Sequence, residues 1–324
     1  MRQNSRVGRR FATAVPAGHP AGSGWRLPKF ALFIATVCLV GVLVLLYPTA
    51  AAWVSSVQQA QQLTTYGQGV SVLAPSVVEG ALTEAQRYNA ALSGTATFAA
   101  NERKPEALGT GVSNGFEYNK LLASDQYGTM GRIKIPSIDV DLPIFHGTSD
   151  NVLAQGVGHL EGTALPVGGV GTHAVLTGHR GLPTSTLFTN LDKVKVGDTF
   201  TVTVFQEVLT YRVVDTKVVD PDQTSALDPV PGKDLVTLVT CTPLGINSQR
   251  ILVTGERVLP TPARDAASAA AAPAGPGFPW WIVVIGCACL LLSTYVWASG
   301  RSRTSPEPAD SGPDVLPLPT LSPH

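Results

Sequence analysis

One cysteine, four histidines and one arginine set the chemistry open to residues 48–277. Cys241 ends the stretch Thr237-Leu238-Val239-Thr240-Cys241. A thiol becomes a strong nucleophile as the thiolate, which needs a neighbouring base or cation. The bases on offer are His146, His159, His173 and His179, with His19 and His324 left in the terminal tails. His179 follows a strand-like run, between Gly178 and Arg180-Gly181, where an imidazole can stand at a rim beside open loop. It is the first choice. His146, in Phe145-His146-Gly147-Thr148, is the second, and His173 shares the face parity of His179 but begins its strand. For each histidine the plain alternative is a structural role. Arg250 follows Cys241 after a tight loop through Pro243 and Gly245, which sets two strands antiparallel and brings the guanidinium near the thiol. An arginine keeps its proton, so it suits an oxyanion or a substrate carbonyl. The alternative is a surface arginine paired with Glu256 or another acid. The other cysteines, Cys38, Cys287 and Cys289, lie in two apolar stretches. Cys241 therefore has no disulfide partner in its own region and is either used or an inert core thiol.

The elements that must hold these groups read mainly as strands. Val236, Leu238 and Val239 give 235–241 the character of a buried strand, stopped by Pro243 and Gly245. Alternation puts Leu235, Thr237, Val239 and Cys241 on one face and Val236, Leu238 and Thr240 on the other. Further strand signals fall at 132–135, 140–145, 172–177, 199–205, 208–214 with an extension to 219, and 249–258. Pro143 marks an edge or a bend. A hairpin is expected around Gln206-Glu207. Roughly eight strands in about 130 residues is the density of an antiparallel barrel or sandwich. Ahead of them, 53–66 and 79–92 are helix candidates, 95–115 reads as loop and 116–122 as a short third helix. A capped helical turn is expected at 149–156 and a loop at 182–192.

Charge and hydropathy divide the chain. Residues 1–29 carry six basic side chains and no acid, whereas 48–277 carry 15 basic and 20 acidic ones. An acidic central region excludes nucleic acid as a natural partner. Residues 30–47 and 278–298 are free of charge and near the length of a membrane-spanning helix. Arg26 and Lys29 precede the first; Arg301 and Arg303 follow the second. The positive-inside rule places both termini in the cytoplasm and the centre outside. The first stretch exceeds a signal-peptide core, so it is read as an anchor, with cleavage near Thr49-Ala50-Ala51 as the alternative. Trp280, Trp281 and Trp297 suit the interfaces of the second. The expected layout is a basic tail (1–29), a span (30–47), a helical, lid-like region (48–128), a barrel (129–259), an Ala/Pro/Gly linker (260–277), a second span (278–298) and a Pro-rich tail (299–324). No Gly-rich phosphate loop and no zinc-spaced Cys/His cluster occurs, so neither cofactor nor metal is expected.

Three motifs in order carry a resemblance. Thr237-Leu238-Val239-Thr240-Cys241 resembles the sortase signature, Leu176-Thr177-Gly178-His179-Arg180 the histidine segment, and 247–257 the arginine strand of that family. The runs 130–136, 142–148 and 158–163, with the second apolar stretch, resemble class C, the pilus-assembling sortases. The resemblance implies an eight-stranded sortase-type β-barrel preceded by helices and flanked by two membrane helices, in a Gram-positive-type envelope. It implies that Cys241 attacks the Thr–Gly bond of an LPxTG-like sorting signal. His179 would protonate the leaving amine and Arg250 would hold substrate and oxyanion. A pilin lysine would resolve the thioester. A housekeeping enzyme acting on a peptidoglycan precursor, and a non-catalytic membrane-held binding module, are the competing readings. Class C members usually carry a lid with an Asp-Pro-aromatic triplet. The segment 95–115 has Lys104-Pro105-Glu106 and no such triplet, which leaves Phe98 and Phe116 as aromatic plug candidates.

Overall fold

Eight strands close into a barrel. The computed structural model describes residues 25–92, 97–98, 105–106, 112–113, 116–123 and 128–301; most of the lid-like loop 95–115, the side chain of Phe98 and most of both tails lie outside them. The strands are β1 (Thr129–Ile135), β2 (Val140–His146), β3 (Val157–His159), β4 (Thr172–Thr177), β5 (Thr199–Val204), β6 (Glu207–Val219), β7 (Asp234–Thr242) and β8 (Gln249–Arg257). Their order around the barrel is β6-β8-β7-β4-β3-β2-β1-β5. The pairing is mixed, not antiparallel throughout: β4 runs parallel to β7 and β2 parallel to β3. A long connection carrying β5 and β6 separates β4 from β7, and such a crossover is what parallel neighbours require.

The barrel interior is filled from alternate positions. Ala174 and Leu176 of β4, Val236 and Leu238 of β7, and Ile251 and Val253 of β8 enter the main core with Ile133, Ile144, Phe200, Val202 and Tyr211. A buried side chain of this size contributes about 1.5–3 kcal/mol. The intervening Val175, Val239 and Leu252 face outward and pack with Leu160, Val219 and Leu227 in a second, smaller cluster. The expected extension of 208–214 to 219 is present, as a single strand with a bulge between Val213 and Asp215. Two other sequence expectations shift. The β5–β6 turn is at Phe205-Gln206, since Val204 pairs with Glu207; Phe205 takes φ +52° there and stays buried in the core. β3 gave no strand signal because it is three residues long and centred on Gly158. A Cβ at Gly158 would strike the Gly147 carbonyl, so no strand-forming residue fits there. Pro143 pairs with Arg132 on β1, while the β3 pairing begins only at Ile144. The proline thus has a neighbour on one side.

Helices brace the barrel through single polar anchors. The expected span 30–47 and helix 53–66 are one helix, α1 (Lys29–Ser71), with Pro48 inside it. Tyr66 donates its hydroxyl to Met130 O and accepts from Phe205 N. α2 (Pro75–Ala91) begins earlier than expected because Pro75 fits a first helical turn. Asn89 completes two bonds with the Leu165 backbone. The third helix candidate is a 3-10 turn, Tyr118–Lys120, and the expected helical turn is α3 (Asp150–Gln155), whose N-cap Ser149 makes no side-chain capping bond. Tyr118 is wholly buried: its Oη accepts from Gly147 N at 3.0 Å and meets His159 Nδ1 at 2.8 Å. His159 Nε2 meets Ala164 O at 2.8 Å. Such partners suit a neutral imidazole that donates from Nε2 and accepts at Nδ1.

Within residues 260–277, read as a linker, α4 (Ala263–Ala270) folds against β5 and β6 and is tied to β1 by side chains. Its alanines favour a helix. Arg132 donates to Ala269 O and Ala271 O, and Lys134 to Ser268 O, cations at the negative end of a helix. Arg132 also makes a bidentate pair with Asp141 at 2.6 Å. Trp53 Nε1 donates to Gly277 O, just before α5 (Trp280–Ser299). Among the described residues, α1 and α5 are the helices long and apolar enough to cross a membrane.

Two measurements test these contacts. Arg132→Ala would leave Asp141, only 13% exposed, without its buried partner and would release α4. The expected cost is about 3–5 kcal/mol, read from urea unfolding; a loss under about 1 kcal/mol would match a mere surface pair. Burial also pushes the His159 pKa from 6.5 down to about 4 and lowers those of His146 and His173. Below 6.5 the unfolded chain binds protons that the folded chain refuses, so stability is full above that pH and falls as pH drops toward 4. His159 alone should remove up to ~3 kcal/mol. Urea unfolding at a series of pH values checks the slope, which His159→Gln should flatten.

Candidate active site

The strand register collects the three candidate groups into one row. Cys241 of β7 stands directly opposite Arg250 of β8. On the other side of β7, Thr177 pairs in parallel with Val239. Two residues beyond each partner come His179 and Cys241; the strand pairing has ended there, and the bond from Gly178 N to Val239 O carries the β4 chain one residue further along β7. All three sit at the parity of Val175, Val239 and Leu252, the face outside the barrel interior. The row thus runs Arg250, Cys241, His179, with the thiol in the middle and adjacent strands about 4.8 Å apart.

Each member is held in partial or complete burial. Cys241 is 5% exposed, His179 8% and Arg250 0%. Arg250 is the largest fully buried side chain among the described residues. Its Nη1 donates to Asn247 O at 2.8 Å and Gln249 O at 3.0 Å, so the turn carrying Pro243 and Gly245 folds back to orient the guanidinium. Arg250 is buried and not on the surface, and Glu256 pairs with Lys233. The four cysteines are free thiols.

The backbone at His179 is fixed from both sides. Gly178 N donates to Val239 O at 3.0 Å, and the Thr240 hydroxyl donates to Gly178 O at 2.8 Å. Phe188 N donates to His179 O at 3.1 Å. Gly178 is required by contact, because a Cβ there would lie 2.7 Å from the Phe188 ring. Arg180 then spans the rim. Its Nη1 donates to Thr242 Oγ1 at 2.9 Å and its Nε to Thr189 O at 3.1 Å, and Nη2 pairs with Asp192 at 2.8 Å. Residue types alone did not single out Arg180, Asp192 or Thr242. The one available signal was that Arg180 and Thr242 each follow a candidate catalytic residue.

The other histidines are committed elsewhere. His146 places Nδ1 and Nε2 against the carbonyls of Gly128 and Leu121, at 3.2 and 2.6 Å, with its ring edge-on to Tyr118. His173 lies on the outer face, with Nδ1 at Asp228 O and Nε2 at Thr237 Oγ1. Thr237 precedes Cys241 by about 13 Å of strand. Phe116 packs edge-on to Tyr88, ring centroids 5.8 Å apart. The groove of about 810 Å³ between α1 and α3 is lined by amides such as Gln59, Gln62 and Gln155 and by no titratable group. Among the described residues no set of three His, Cys, Asp or Glu could hold a metal ion.

Comparison with known proteins agrees with this frame. Residues 133–258 match the model of the sortase domain. Sortase D of Bacillus subtilis (strain 168) is 34% identical over 161 residues, which are 48% of this chain and 78% of the relative. The crystal structure of sortase C-1 from Actinomyces oris aligns with 46% identity and a TM-score of 0.52, covering 57% of this chain and 99% of that one. Sortase C1 from Streptococcus agalactiae aligns with 41% identity and a TM-score of 0.56, covering 62% and 100%. With barrel, motif order and relatives all in agreement, this chain belongs to the sortase family of cysteine transpeptidases.

Proposed function

We propose that the chain is a membrane-held transpeptidase that joins pilin subunits, with Cys241 as nucleophile, His179 as acid and base, and Arg250 as the electrostatic partner. The observation that carries this reading is the pairing of Cys241 with Arg250, with His179 on the other side of β7, two residues past the end of the β4 pairing and next to Gly178, which bonds Val239. A sorting signal of LPxTG type would lie along that row. The Cys241 thiolate adds to the threonine carbonyl carbon, and the negative charge moves to the carbonyl oxygen. A buried guanidinium stabilises that charge more than it could in water. Collapse of the adduct breaks the Thr–Gly bond. The leaving amine takes a proton from His179, and the threonine remains on Cys241 as a thioester. An acceptor lysine amine then attacks, loses its proton to His179 and expels the thiolate. The similarity to sortases named C favours pilin lysine over a peptidoglycan precursor as acceptor. The apolar part of α1 and α5 would cross the membrane, with both termini in the cytoplasm and the barrel outside, as the flanking Arg26, Lys29 and Arg301 favour.

Incubation with an LPxTG-type peptide, followed by intact-mass measurement, tests the scheme. The unaltered chain should gain the mass of the acyl fragment on Cys241, and Cys241→Ala should gain none. His179→Ala should lower the rate by about 10²–10⁴-fold, and Arg250→Ala by about 10²–10³-fold. Arg250→Lys should not restore it, because the fork held by Asn247 and Gln249 is lost. Acylation of Cys241→Ala at the unaltered rate would defeat the proposal, and an inert Cys241 would leave the binding-module reading. Supplying pilin lysine or peptidoglycan amine as acceptor separates polymerisation from wall anchoring.

A further inference from the structure

We infer that Arg180 is a positioning residue for this reaction, one that sets the gap between His179 and Cys241; the inference rests on the transpeptidase reading above. Arg180 and Thr242 are the immediate successors of His179 and Cys241, and the Arg180 Nη1 to Thr242 Oγ1 bond at 2.9 Å ties those successors together. His179 lies past the last paired residue of β4, Thr177. The regular ladder therefore ends before it reaches the imidazole. Gly178 is held by Val239 and Thr240, and beyond it Arg180 supplies the cross-strand tie that the ladder no longer provides.

The guanidinium is suited to that task. Its side chain is 10% exposed, so water competes weakly for its bonds. Three of its nitrogens reach three partners in two segments: Thr242 at the end of β7, and the Thr189 carbonyl and Asp192 in the connection after β4. A planar fork spends little conformational entropy in making several bonds at once. Asp192 neutralises its charge, so Arg180 acts through geometry and not as a second cation at the acyl oxygen. The loop 181–189 is closed by the same residues, since Gly181 N donates to Thr189 Oγ1. Proton transfer between a thiol and an imidazole depends steeply on their separation, and a shift of about 1 Å can cost 10²-fold.

The test is a double-mutant cycle on the full-length chain in detergent. It measures the rate of Cys241 alkylation by iodoacetamide against pH, mapped by mass spectrometry, beside kcat and KM for an LPxTG-type peptide. Arg180→Ala should lower kcat by about 10–100-fold while KM stays within about twofold. Its alkylation profile should move onto that of His179→Ala. In the His179→Ala background, Arg180→Ala should change the alkylation rate by less than about twofold, since a positioning residue has nothing left to position. Arg180→Lys should recover little, because one ammonium cannot reach all three partners. Should Arg180→Ala fail to fold, Thr242→Val removes one bond of the tie and should lower kcat by about 3–10-fold with the same drift in profile. Unchanged kcat and profile in Thr242→Val, or equal losses from Arg180→Ala with and without His179, overturn the inference while leaving the transpeptidase intact. An unaltered chain whose Cys241 neither alkylates nor acylates defeats both.

Discussion

The arrangement depends on one strand having two different kinds of neighbour. β7 runs antiparallel to β8 and parallel to β4, so its end is flanked on one side by the strand that follows it and on the other by the chain leaving β4, some sixty residues earlier. Closure of the barrel fixes both registers at once. A slip of one residue would turn Cys241 toward the interior and bring Thr240 outward. The inward Val236 and Leu238 and the outward Val239 oppose that slip, because each already fills a packed cluster. The apolar packing thus sets where the thiol points, long before any polar contact is made.

Polar contacts then fix what apolar packing leaves loose. Arg250 is fully buried, and an isolated buried charge is costly without hydrogen-bond partners. The carbonyls of Asn247, in the turn between β7 and β8, and of Gln249, the first residue of β8, provide such partners. The loop after β4 is managed the same way: Gly178 permits the close approach of Phe188, and backbone bonds from Gly178 and Phe188 hold the turn on which His179 stands. The row is therefore ladder-made on the arginine side and loop-made on the histidine side.

That difference explains what could be read from the sequence. The buried strand ending in a thiol, its face parity and the nearness of Arg250 are local matters of alternation and a short loop, and the residues state them directly. The helix within 260–277 was hidden because Ala, Pro and Gly read as linker, while its anchors, Arg132 and Lys134, lie over a hundred residues earlier. β3 was hidden because its centre must be glycine for contact reasons. The parallel pairing of β4 with β7 leaves no local mark at all. His179 is preferred for its place just past a strand end, which is a local matter; the partners that engage His146, His159 and His173 are backbone carbonyls, a tyrosine and a threonine whose proximity is tertiary.

The segments around the barrel follow a related rule. α1 is anchored through Tyr66, α2 through Asn89, the turn at 118–120 through Tyr118 and α4 through Arg132. In every case one side chain takes up backbone groups that strand or helix pairing leaves over. Such groups carry a desolvation cost if buried without a partner, so one polar side chain both locates the segment and removes the cost. The barrel can accordingly keep an apolar interior and still bind its neighbours specifically. The outer face of β4, β7 and β8 combines both modes, with the Leu227 and Val219 cluster at one level and the thiol, imidazole and guanidinium at the next. The thiol and the guanidinium stand where that apolar cover ends, the thiol 5% exposed and the guanidinium fully buried.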